Sequence, residues 1–150
     1  MVKSFQRIGA ESNAQVGREF ELSAQSFFAT QGIQLKLNHK VVVGVESQKK
    51  KLHAFDLGCD DKKILVECKS HRWTTGNNVP SAKMTVWNEA MYYFYTAPHD
   101  YRKIMFVLHH CNGQGKSLAS YYLDTYRHLI PSDVEFWEYD EQKMTAARII

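Results

Sequence analysis

The amino-acid sequence predicts an α/β fold in which a helix, a three-strand meander, a second helix and a further strand build a mixed central sheet flanked by helices. Three observations predict it. Apolar residues recur at helical spacing near the N-terminus. Three short apolar segments separated by polar turns follow. A continuous apolar run then comes after a second helical stretch.

The first helix is expected from Ala14 to about Thr30, after a polar lead-in over residues 1–13. Val16, Phe20, Ala24, Phe27 and Phe28 share one stripe, and Gly32 can end the helix. Residues 33–45, closing on Val41-Val42-Val43-Gly44-Val45, are β-branched and read as a strand. A polar turn, Ser47-Gln48-Lys49-Lys50-Lys51, leads to a short strand Leu52–Leu57. Gly58-Cys59-Asp60-Asp61 supplies turn residues before a strand Lys63–Ser70. A loop holding Thr74, Thr75, Gly76, Asn77 and Asn78 precedes Pro80, which suits the first turn of a helix running to about Thr96. Its buried stripe is Met84, Trp87, Met91, Phe94 and Tyr95. Lys103–His109 is apolar throughout its centre, as a central strand should be. Residues 115–130 are ambiguous and partly helical, and Val134–Tyr139 reads as a last strand.

With 150 residues and 44% hydrophobic content the chain suits one domain. The core is expected over about residues 14–109, with a variable C-terminal part over 110–150. A chain of this size buries roughly two thirds of its unfolded surface, so disorder is a poor description. The formal net charge of +3 is mildly basic, compatible with a nucleic-acid partner without establishing one. The three cysteines, Cys59, Cys68 and Cys111, are odd in number and not at zinc-ligand spacing, against a disulfide framework or a structural zinc. His109-His110-Cys111 reads as a strand end rather than a metal site, because alternation splits the three between faces. The opening residues Met1–Arg7 lack the apolar stretch of a signal peptide, and no segment approaches the roughly 18 apolar residues of a membrane span. A cytoplasmic location without a membrane partner is expected.

The chemistry concentrates in His53-Ala54-Phe55-Asp56-Leu57-Gly58 and Ile64-Leu65-Val66-Glu67-Cys68-Lys69. Each acidic residue interrupts an apolar strand. Strand side chains alternate, so Glu67 and Lys69 share a face. Pairing through the turn places Asp56 beside Glu67. Two carboxylates and a lysine gathered on apolar strands are costly to desolvate unless they neutralise one another or hold a cation. Hard oxygen donors suit Mg²⁺. The competing reading is a structural salt bridge of Asp56 and Glu67 with Lys69.

Asp56 followed by Glu67-Cys68-Lys69 resembles the PD-(D/E)XK nuclease superfamily, with its restriction-endonuclease-like fold. Phe55 stands where that pattern usually has proline. The resemblance extends over roughly residues 14–109, since the element order is the same. It implies a Mg²⁺-dependent endonuclease acting on DNA, with Mn²⁺ able to substitute. Asp56, Glu67 and Lys69 would be catalytic. Asp56, Glu67 and the backbone carbonyl of Cys68 would hold the ion, joined by a glutamate from the first helix. Of Glu19 and Glu21, Glu19 is the one expected at the site, because it borders the apolar stripe. Asn88 and Tyr92 match the spacing of a Gln-x-x-x-Tyr motif carried by some members. Arg72, Lys83, Asn88 and the run Lys49, Lys50, Lys51 are the candidate DNA contacts. Specificity is expected from loops such as 71–79, from a homodimer or from a partner protein. The alternative function is a catalytically inactive nucleic-acid-binding or scaffold subunit of the same fold. A small-molecule α/β enzyme lacks support, with no Gly-rich phosphate loop or nucleophile elbow.

Overall fold

The computed structural model describes residues 12–150, so the polar lead-in lies almost wholly outside the described residues. In chain order the elements are α1 (Asn13–Thr30), β1 (Lys36–Val43), β2 (Lys51–Cys59), β3 (Ile64–Lys69), α2 (Ser81–Thr96), β4 (Arg102–Leu108), α3 (Leu118–Tyr126), a 3-10 turn at Arg127–Leu129, β5 (Val134–Asp140) and β6 (Thr145–Arg148). The protein is thus α/β, with three α-helices among the described residues and one six-stranded mixed sheet.

Strand order in the sheet follows chain order, β1-β2-β3-β4-β5-β6. The first three strands are antiparallel neighbours. β4 lies parallel to β3, β5 parallel to β4, and β6 antiparallel to β5. The two parallel pairings need crossovers, which α2 and α3 supply.

Alternation along the strands divides the core into two layers. Phe20, Ala24 and Phe28 of α1 pack with Leu57, Val66, Ile104 and Phe106. On the other side Trp87, Met91 and Phe94 of α2 and Tyr122 of α3 pack with Leu65, Met105, Val107 and Phe136. Each buried Leu, Ile, Val, Met or Phe among these contributes about 1.5–3 kcal/mol. Ser12 starts α1 by accepting the Gln15 N–H at 3.1 Å. Gly32 ends it with φ +78°, a left-handed conformation that favours glycine.

The structure departs from the sequence expectation on α2, where Tyr95 is 59% exposed instead of joining the buried stripe, and at the end of β2. β2 runs on to Cys59, and the turn falls at residues 60–63. Gly58 is therefore a strand residue. A Cβ there would stand 2.8 Å from the His39 ring, which crosses it to reach Asp60. The C-terminal part, expected to be partly helical over 115–130 and a strand over Val134–Tyr139, joins the same sheet. It supplies α3, β5 and β6, with Val134, Phe136 and Tyr139 buried in the sheet. β4 also carries Lys103, 1% exposed, whose charge is met by Asp133 at 2.7 Å. No helix among the described residues is long and apolar enough to cross a membrane.

Candidate active site

The pairing of β2 with β3 stops at Leu57–Val66. The same register would set Asp56 opposite Glu67, but the strands part there. The Cys68 N–H, freed from the ladder, donates to the Asp56 carboxylate at 2.8 Å. Alternation breaks at the same point. Phe55 stacks on Phe94 of α2, with ring centroids 5.3 Å apart, whereas Leu57 packs in the layer under α1. The fork thus turns Asp56 towards Glu67 within an apolar surround.

Glu67 is buried, and Lys69 Nζ stands 3.5 Å from its Oε2. Burial first, and then the charge of Asp56, lifts the Glu67 carboxyl to about 8, against the opposing pull of Lys69. Asp56 and Glu67 lie within hydrogen-bonding reach of each other.

A third carboxylate joins them from α1, and it is Glu21. Burial and then Asp56, within hydrogen-bonding reach, raise its pKa, while Arg18 pulls the other way. Glu19, the residue expected here, is exposed. It accepts from Gln15 Nε2 at 3.3 Å and lines, with Arg72 and Glu141, a cleft that adjoins the one beside Lys69. The helix fixes this difference, since residues two apart lie on nearly opposite sides. The Cys68 thiol lies in the core under α1, so Cys68 can serve the site only through its backbone.

Beside Lys69 opens a cleft of about 370 Å³, lined among others by Cys68, Ser70, His71, Arg72 and Lys83. Trp87 Nε1 donates to His71 Nδ1 at 2.8 Å, so the neutral ring carries its proton on Nε2. Burial, then Lys69 and Lys83, lowers the His71 pKa to about 4. Lys83 therefore shares this cleft with Lys69. Arg72 reaches its rim, paired with Glu141 at 2.6 Å and half-exposed. A larger hollow, about 440 Å³, lies near Arg127 and Ile130. Its carboxylates are occupied, Asp133 by Lys103 and Glu135 by Arg102 and Arg148.

The remaining predicted contacts are not brought to the carboxylates. The Asn88 amide oxygen accepts from the Tyr122 hydroxyl at 2.8 Å, and Asn88 faces a groove shared with Tyr92, Tyr95 and Leu129. Lys49 pairs with Glu46, and Lys50 donates to the Gly44 carbonyl, both within the β1–β2 turn. Lys51 begins β2, about 17 Å along the strand from Asp56 at ~3.4 Å per residue. Arg18, near Glu21, and His71 in its anchored form are features that the sequence reading passed over.

Among the described residues no group of three or more His, Cys, Asp or Glu side chains is arranged to hold a metal ion. The donor set nevertheless fits Mg²⁺. This ion is commonly held by one or two carboxylates, waters and substrate phosphates rather than by an all-protein cage. Here the carboxylates outnumber the cations beside them. Comparison with protein-family models, with curated proteins and with solved structures returns no match for this chain.

Proposed function

We propose that this protein is a Mg²⁺-dependent deoxyribonuclease with a restriction-endonuclease-like core of the PD-(D/E)XK kind. One observation carries the reading: three carboxylates and one lysine gather at a fork between two strands, next to a basic cleft. An isolated salt bridge needs no such gathering of carboxyl groups, and clustered ionisable groups in an apolar setting mark functional sites. The helix, three-strand, helix, strand order supports the same reading.

Asp56 and Glu67, with the Cys68 carbonyl and Glu21 beside them, would hold Mg²⁺. The bound ion would supply Lewis-acid polarisation of a phosphate oxygen and a lowered pKa for attacking water. Lys69 pairs with Glu67 and lines the cleft. It would orient that water and stabilise negative charge on the phosphate in the transition state. Lys83 and the Nε2–H of His71 supply donors for a phosphodiester entering the cleft.

The test is plasmid cleavage with Mg²⁺ and with EDTA, on the wild type and two variants, with DNA binding measured alongside. Lys69→Ala should retain metal and DNA binding and lose roughly a hundredfold to ten-thousandfold in rate. Asp56→Asn should lose metal affinity as well as cleavage. Wild-type cleavage in EDTA, or a Lys69→Ala protein that cuts at the wild-type rate, overturns the assignment. DNA binding without cleavage under any metal would favour the non-catalytic scaffold.

A further inference from the structure

Beyond β4 the chain stays extended through His109, whose N–H donates to the Tyr139 carbonyl at 2.8 Å, and Cys111 pairs with Ser117. Residues two apart on extended backbone share a face. His109 Nε2 accordingly stands 3.6 Å from Cys111 Sγ, within hydrogen-bonding range for sulfur. The other ring nitrogen, Nδ1, is bonded to Glu138 Oε2, on β5. Glu138 is itself fixed, because its Oε1 accepts from the Ser117 hydroxyl at 2.6 Å, and Ser117 caps α3. Both carboxylate oxygens are acceptors, so Nδ1 carries the proton and Nε2 turns its lone pair to the thiol. Carboxylate, imidazole and thiol form a relay of the kind that activates a nucleophile. The Glu138 side chain is 11% exposed and that of His109 42%, and Cys111 is partly exposed, so the relay is anchored in the sheet and its thiol end is partly open to solvent. None of these residues takes part in the proposed nuclease site.

We propose that Cys111 is a reactive thiol, activated by His109 and Glu138, whose substrate is a small hydroperoxide. The thiol proton passes to His109 Nε2 as sulfur attacks the peroxide. The S–O bond forms and the O–O bond breaks. His109 returns the proton to the leaving oxygen, which departs as water from hydrogen peroxide and as the alcohol from an organic hydroperoxide. Sulfur is oxidised by two electrons to the sulfenic acid, and the peroxide is reduced. His109 acts as base and then acid, and Glu138 is a positioning residue.

The two other cysteines make the test internally controlled. Cys59 and Cys68 are buried, so they stay unlabelled while the fold holds. The full chain, reduced, is exposed to hydrogen peroxide in the presence of dimedone, and adducts on each cysteine are followed by peptide mass spectrometry. Cys111 should be labelled at least tenfold faster than N-acetylcysteine at the same pH. His109→Gln should remove that advantage, roughly tenfold or more. Glu138→Gln should slow labelling, and Glu138→Asp should restore part of it. Wild-type Cys111 reacting no faster than N-acetylcysteine overturns the proposal. So does equal labelling of wild type and His109→Gln with Cys59 and Cys68 protected in both. Should a variant expose Cys59, the wild-type comparison with N-acetylcysteine decides.

Discussion

Glu21 and Glu19 stand two positions apart on α1 and face different surroundings, and the reason was present in the sequence. Each helical residue advances the side chain by about 100°. Measured from the centre of the Phe20–Ala24–Phe28 line, Glu21 lies about 60° away and Glu19 about 140°. Counting Val16 in the stripe draws the line towards Glu19, yet Val16 is 39% exposed in the structure. The sequence shows which residues are apolar and only burial shows which of them are inside. Asp56, Glu67 and Lys69 were legible because a charge inside an apolar strand stands out. Arg18 and His71 were not, since their roles depend on neighbours from other elements. If Glu21 completes the metal shell, Glu21→Gln should raise the Mg²⁺ concentration for half-maximal cleavage roughly tenfold. Glu19→Gln should leave it unchanged. A Mg²⁺ titration of plasmid nicking checks both, and equal curves for all three proteins would remove Glu21 from the shell.

At the scale of elements, α1, β1, β2, β3, α2 and β4 were each readable from periodicity, with ends shifted by a few residues. α3 was harder, because only Leu118, Ala119 and Tyr122 of its nine residues are buried. β6 left no signal, as a four-residue edge strand that buries almost nothing. The contact that joins the exit of β3 to α2 has a consequence for acid stability. His71 is held neutral by burial and by two nearby lysines, and accepts from Trp87. Its folded pKa, about 4, lies below the usual 6.5, so between these values the unfolded chain binds more protons. Stability therefore rises with pH through that window and is lost as pH falls from 6.5 towards 4. His71→Gln should flatten this part of the curve. Thermal melts of both proteins from pH 7 to 4 test it, and parallel curves would show that His71 does not carry the effect.

Across the whole molecule, a net charge of +3 hides an uneven distribution. Lys69, Lys83 and Arg72 converge on one cleft, whereas Lys49 and Lys50 are engaged inside the β1–β2 turn. Each phosphate contact contributes about one unit to the salt slope of DNA binding. Lys83→Ala with Arg72→Ala should lower the slope by about two units, and replacing Lys49 and Lys50 should lower it less. Fluorescence anisotropy on a short duplex across a salt series measures this. The reverse ranking would route the DNA over the hairpin instead of the cleft.

The match between strand order and chain order also bears on how the sheet is assembled. No strand has to be inserted between two that have already paired. During synthesis each new strand can be laid on the edge left by its predecessor, first by hairpin closure and then over the α2 and α3 crossovers. The slow steps of folding should be these two crossovers, because parallel pairing must close longer loops before it gains any contacts. Glu67 and Lys69 lie on β3, the last strand laid down before the first crossover. The strand that carries Glu67 and Lys69 thus waits with one edge open until α2 and β4 have left the ribosome.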